Sequence, residues 1–398
     1  MDISESFNLL RRYCESEQYK GWDPFDGLNS KVLQTVLPLK HSAILRLLVI
    51  QGFKRSPWNL RKPLMVPKQY NCKGLGLFLQ GYCNLYKLLG KNPTLESVFG
   101  NKDEVLSRIH ELSQLLIKLR STGYHGSCWG YNFDWQSRRL FLFPAYCPTI
   151  VATNFCATAL MDAYELTGAN EYLDVALDSA NFILNDLHLD EYEGERMISY
   201  SPLHGNNLVS NASLLGSKVL AYCYKYTGNK EYLKVARSSV RACCKGQRED
   251  GSWTYSQIPP KLWVDSFHTG YNLDGLIAYE EQTGDKEYHE NIVRGFDYYI
   301  ENFFNEDGSP KYYNNEQYPI DIHCPGQLFV TLHRLEKYDE YSQLAEKVLK
   351  WTIMNMQAPK GYFYYQLKKG ISSKIPYMRW SNAFMFYALS YYLMDKYK

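Results

Sequence analysis

Thr167-Gly168-Ala169-Asn170-Glu171-Tyr172 returns as Thr227-Gly228-Asn229-Lys230-Glu231-Tyr232 and again as Thr283-Gly284-Asp285-Lys286-Glu287-Tyr288, at spacings of 60 and 56 residues. A degenerate copy, Tyr338-Asp339-Glu340-Tyr341, follows. Each full copy comes after an apolar stretch (ATALMDAYEL, SKVLAYCYKY, DGLIAYEEQ) and before an amphipathic one (YLDVALDSANFIL, YLKVARSSVRAC, YHENIVRGFDYYI). Glycine supplies the left-handed residue that ends a helix, so Thr-Gly reads as a tight turn between two helices. Repetition of one hairpin at a near-constant period marks an array whose units bury their apolar faces only against their neighbours.

Working outward, apolar helices are predicted at about 74–90, 151–166, 208–226, 267–282, 323–336 and 380–395. Amphipathic partners follow the first five, and an N-terminal helix within residues 1–20 serves as the sixth. The apolar members belong inside and the amphipathic members outside. The expectation is an all-α (α/α)6 toroid forming one domain over residues 1–398. Residues 1–70 complete the ring through N-terminal helices and an ordered loop, where Asp23-Pro24 and Asp26-Gly27 signal turns. Residues 71–398 supply the hairpins. The connections 121–150, 188–207, 247–266, 305–322 and 358–379 are long and are expected on one face. Four of them carry related aromatic stretches: Gly126-Ser127-Cys128-Trp129-Gly130-Tyr131, Gly251-Ser252-Trp253-Thr254-Tyr255, Gly308-Ser309-Pro310-Lys311-Tyr312-Tyr313 and Gly361-Tyr362-Phe363-Tyr364-Tyr365. Long loops in compact domains are usually functional.

A net charge of +2 gives no electrostatic footprint for nucleic acid. The unusual quantity is aromatic content, 15% with 35 Tyr and 8 Trp. Tyr and Trp clustered in loops suit stacking on the C–H faces of sugars. The ten Cys form no CxxC pair and no zinc-type set. The N-terminus lacks a secretory pattern, so the expected location is the cytoplasm, with thiols reduced. The longest apolar runs, near 43–50 and 383–394, fall short of the roughly 20 residues that span a bilayer. No phosphate-binding loop or complete dinucleotide fingerprint is present, and no cofactor or metal is expected.

The candidate site centres on Val264-Asp265-Ser266-Phe267-His268-Thr269-Gly270-Tyr271-Asn272-Leu273. Asp265 and Ser266 are natural N-caps, which puts an acid and a His at a helix mouth beside aromatic surface. Asp321 and His323 occupy the equivalent place in the next repeat. Glycoside chemistry needs two carboxyl groups in unlike surroundings, so Asp265 and Asp321 are the acid–base candidates. His268 and His323, near helix N-termini, are alternative bases. His204 sits at the preceding repeat's mouth. Arg379-Trp380 opens the last inner helix, where an Arg suits a substrate carboxylate. Trp129, Tyr131, Asp134, Asn154, Trp253, Tyr271, Tyr313 and Tyr364 complete the expected sugar-binding set.

These features resemble the six-hairpin glycosidase-like superfamily. Within it, Trp263-Val264-Asp265 and Pro319-Ile320-Asp321 look like the acid-bearing turns of unsaturated glucuronyl and rhamnogalacturonyl hydrolases. That resemblance implies that the two Asp protonate substrate and direct water. A second resemblance rests on Gly21-Trp22-Asp23-Pro24-Phe25-Asp26-Gly27-Leu28-Asn29-Ser30 and Tyr377-Met378-Arg379-Trp380-Ser381-Asn382-Ala383. Both stretches are similar to VpsJ-type proteins of bacterial capsule, O-antigen and exopolysaccharide gene clusters. The implied function is a carbohydrate-active enzyme of surface-polysaccharide metabolism, hydrolase-like, acting on an oligosaccharide or polysaccharide, anionic glycans included. A uronic acid epimerase or lyase with a His or Tyr base, and a non-catalytic glycan- or protein-binding scaffold, are the alternatives.

Overall fold

At Gly168, Gly228 and Gly284 the backbone turns left-handed, with φ of 68°, 68° and 73°, and each glycine N–H returns to the carbonyl four residues back. An L side chain in that conformation costs about 1–2 kcal/mol, so glycine ends each inner helix. The structure is a computed structural model that describes residues 2–36, 38–137 and 141–398. The inner helices are Cys72–Lys91, Ile150–Thr167, Ser210–Thr227, Ser266–Thr283, His323–Arg334 and Phe384–Lys396. Each packs on the next, and the last packs on the first, which closes the ring. Close approach depends on small residues: a Cβ on Gly76 would lie 2.7 Å from the Phe155 carbonyl oxygen of the neighbouring helix.

Amphipathic helices cover the ring from outside. They are Lys102–Lys118, the pair Asn170–Leu177 and Ser179–Asn185, Lys230–Lys245, His289–Phe303 and Ser342–Met356. Ile3–Ser16 is the sixth, packed against the last inner helix through Phe7, which stacks on Phe386 at 4.9 Å. The chain ends meet there, with Ser4 Oγ 2.9 Å from Tyr397 Oη.

Two features depart from the expected ring. Lys31–Val36 and Ala43–Arg55 take no place in it. They lie over the rim, against the turn Asp26–Asn29 and the small hairpin Trp135–Gln136 with Leu142–Phe143. The last inner helix also opens with a π-helical turn, Met378–Ala383, in which Asn382 N–H reaches the Tyr377 carbonyl. The extra residue in such a turn re-aims side chains, here Arg379 and Trp380.

The long connections converge on the N-terminal ends of the inner helices, and one cavity takes lining residues from all five. Two further hairpins stiffen them, Leu189–Tyr192 with Glu195–Ile198 and Ile320–Asp321 with Gln366–Leu367. Among the described residues no helix is long and apolar enough to cross a membrane.

Candidate active site

The cavity has a volume of about 310 Å³, inside the size range of small-molecule sites. The N-termini of the surrounding helices point toward it, and their unpaired N–H groups favour negative charge.

Asp265 adopts extended backbone and caps its helix, accepting the His268 N–H at 3.1 Å. Its other oxygen accepts Trp263 Nε1–H at 3.0 Å and lies 2.7 Å from His268 Nδ1. The carboxylate is fully enclosed, whereas the His268 side chain is 19% exposed and lines the cavity. A carboxylate on Nδ1 fixes the Nδ1–H tautomer, leaving Nε2 as the free base.

The next repeat has a looser version. Asp321 accepts His323 N–H at 3.0 Å, Trp380 Nε1–H at 2.9 Å and Gln366 Nε2–H at 2.8 Å. His323 Nδ1 is 3.4 Å from Asp321, close enough for charge but misaligned for a hydrogen bond. The ring stacks on Phe384 at 4.0 Å. Burial pushes the His323 imidazole down to about 4, against the pull of Asp321. The Phe267 ring touches both imidazoles, with centroids 4.1 Å from His268 and 5.1 Å from His323.

Burial of neutral His323 has a consequence for stability. The unfolded chain binds a proton near 6.5 that the folded chain refuses until about 4, so stability is complete above 6.5 and falls as pH drops through that window. His323→Gln should therefore melt with less dependence on pH between 6.5 and 4 than the parent, as measured by circular dichroism.

Asp265 and Asp321, the expected acid–base pair, are not among the residues that line the cavity. Each sits behind a histidine, with its oxygens engaged by neighbouring donors. Among the described residues no carboxylate lines the cavity. Of the expected binding residues, Tyr131, Tyr271, Tyr313, Arg379 and Trp380 line it. Arg379 is held bidentately by buried Asp23 and lies over the rings of Tyr131 and Trp380 at 4.8 and 5.0 Å.

The other expected binding residues lie elsewhere. Trp129 and Trp253 are core residues whose Nε1–H groups bond the Leu116 and Cys243 carbonyls, since a flat ring with one donor fills a gap between an inner and an outer helix. Asn154 is wholly buried in its helix. Asp134 holds a turn through the Ala145 N–H. His204 is exposed and stacks on His188 at 4.4 Å. Tyr364 packs beside Tyr362 and Lys374.

Sequence reasoning missed Lys73. It projects from the first inner helix, 4% exposed, with Nζ 3.3 Å from Tyr271 Oη and over the Phe155 ring at 4.5 Å. Burial and the nearby Arg379 push its amine well below the ordinary value, which favours the uncharged form. A lone Lys in the apolar run CKGLGLFLQGY was the available signal. Tyr255, stacked on Trp263 at 4.8 Å and 4.7 Å from His268, was a second omission. Among the described residues no cluster of His, Cys, Asp and Glu has the makings of a metal site.

Residues 266–397, which include both histidines and the last three inner helices, match the family model described as Glycosyl Hydrolase Family 88. The chain is an (α/α)6 toroid of six helical hairpins. Solved structures share this toroid. An unsaturated glucuronyl hydrolase specific for heparin superposes with a TM-score of 0.62 at 14% identity, over 99% of this chain and 97% of that one. Cellobiose 2-epimerase from Bacillus thermoamylovorans superposes at 0.63 and 12% identity, over 83% and 90%. A glycosyl hydrolase family 88 protein from Bacteroides vulgatus gives 0.55 at 15% identity, over 81% and 91%. At these identities the structures establish the toroid alone. No curated protein matches the sequence.

Proposed function

We propose that this toroid is a carbohydrate-active enzyme that moves a proton at a sugar carbon, with His268 and His323 as the acid–base pair. The observation that carries this reading is the pair of imidazoles in one cavity, each with a carboxylate behind it. One imidazole Nε2 removes the proton from a carbon beside a carbonyl or carboxylate. The electron pair moves onto the oxygen, where Tyr271 Oη and the Lys73 amine are placed to donate. The second imidazole, charged at the start and neutral at the end, returns its proton to the opposite face of the carbon, which inverts it. The rings of Tyr255, Trp263 and Trp380 offer surface on which a sugar stacks.

The substrate class follows from charge. Lys54 and Arg379 line the cavity, no carboxylate among the described residues does, and helix N-termini face it, which supports an anionic glycan. Surface-polysaccharide metabolism is supported by the two terminal stretches similar to VpsJ-type proteins. They meet in the structure: Met378 N–H donates to the Trp22 carbonyl, and Arg379 holds Asp23. The ten free thiols support a reducing, cytoplasmic setting. We read residues 1–398 as one functional unit, since both ends build the cavity wall.

The test is exchange in deuterium oxide with reducing and uronate-terminated oligosaccharides, followed by proton NMR. Deuterium entering a sugar carbon, with inversion there, is the expected result. Reducing ends released without wash-in would instead establish hydrolysis, the second reading, which the family match over 266–397 favours. A new ultraviolet absorbance from a C=C bond would mark a lyase.

A further inference from the structure

Helix Ala43–Arg55 carries apolar residues on every side, with Arg46, Gln51, Lys54 and Arg55 between them. Its inner side buries Ile50 and Phe53. Its outer side is a stripe at helical spacing, Ile44, Leu48, Gly52 and Arg55, all exposed, with Ile44 and Leu48 each 62% open. Surface helices normally turn charge outward, and a helix apolar all round normally has a cover. Neighbouring chain adds exposed Val36, Trp58 and Met65. The loop 366–374 joins the same surface, because Lys368 Nζ donates to the Arg55 carbonyl and Ile371 at the tip is exposed.

The charge here has one sign. Residues 31–68 hold eight Lys and Arg and no Asp or Glu, in a chain whose net charge is only +2. Loop 366–374 adds Lys368, Lys369 and Lys374, again with no acid. Arg61 is buried on Asp26, and Lys68 pairs with Glu17. Lys31, Arg55, Lys62 and Lys369 are exposed, and each lacks an ion-pair partner among the described residues. Burial, with Arg55 beside it, pushes the Lys368 amine down. Exposed aliphatic groups, an exposed Trp and clustered basic residues are what lodge a protein segment in the headgroup layer of an anionic membrane.

We propose that the helix Ala43–Arg55 with the exposed Val36, Trp58 and Met65, and the loop 366–374, dock the protein onto an anionic lipid bilayer, with Ile44, Leu48 and Trp58 entering the headgroup layer. An anionic surface neutralises the patch, whereas a second copy of this chain would oppose it with the same charge. Ile50, Gln51 and Lys54 of the docking helix also line the cavity. Docking therefore holds the cavity mouth at the membrane, where the sugar of a lipid-linked glycan lies. The inference does not depend on which reaction the cavity performs.

The test is vesicle flotation of the full chain. It should float with vesicles of equal parts phosphatidylglycerol and phosphatidylcholine, bind phosphatidylcholine alone far more weakly, and detach as salt rises. An Ile44→Asp/Leu48→Asp variant, with folding checked by circular dichroism, should lose at least about tenfold in apparent affinity. The emission attributable to Trp58, taken as the difference from Trp58→Phe, should shift to the blue on binding. No flotation with anionic vesicles, or flotation that the double variant leaves unchanged, overturns the proposal. So does light scattering that shows a dimer in the absence of lipid which the double variant splits, because the cover is then a second copy.

Discussion

His268→Ala should lower turnover by about 10²–10⁴-fold, the contribution of a positioned acid or base. The side chain is partly exposed, so its loss leaves the fold intact. The partner substitution makes the experiment decisive. Asp265→Asn keeps an oxygen for the helix cap but removes the anion that fixes the Nδ1–H tautomer, and its amide is able to donate to Nδ1 and reverse that tautomer. If Asp265 acts through His268, either change alone should cost nearly as much as both together, because residues that act as a unit are non-additive. If Asp265 is itself the acid of a hydrolase, the losses should accumulate. The readout is deuterium wash-in for proton transfer and reducing-end release for hydrolysis. A His268→Ala enzyme that retains full rate removes the histidine reading.

Asp23→Ala should cost about 3–5 kcal/mol of stability, the penalty for leaving one partner of a buried pair uncompensated. The Arg379 and Asp23 side chains are 4% and 6% exposed and share two hydrogen bonds. Removing the carboxylate strands a guanidinium between Tyr131 and Trp380 in the cavity wall. Replacing both partners, Asp23→Leu with Arg379→Met, should be less damaging than Asp23→Ala alone, since no unpaired charge remains. Chemical denaturation of the three variants measures this. Equal stability of Asp23→Ala and the parent would mean that the pair contributes nothing to the closed ring.

How much was legible beforehand differs between fold and site. Thr-Gly turns carry their own conformational signature, so Gly168, Gly228 and Gly284 located the hairpins to within two residues of the observed helix ends. Burial of aromatic rings has no such local signature. Trp129 and Tyr131 are two residues apart in one loop, yet one fills the core and the other faces the cavity. Asp265 and His268 were recognised as neighbours, but their order from wall to cavity depends on side-chain direction, which spacing along a helix mouth does not fix. Lys73 needed the third dimension, because Phe155 and Tyr271 reach it from helices remote in sequence. The rim helix 43–55 has the length and apolarity of a core element, and its position over the face is set by Asp26, Arg61 and the hairpin near residue 135.

The meeting of residues 22–23 with 377–379 sets the order in which the molecule matures. A ribosome adds Arg379 356 residues after Asp23, and multi-element chains acquire structure from the N-terminal end as they emerge. Until then the first inner helix has no neighbour on one side, Asp23 has no guanidinium, and the cavity has a gap where Trp380 belongs. His268 and His323 are therefore already made, but no site holds them together. The cavity wall is complete only at ring closure, a long-range event that loop-closure entropy makes slow.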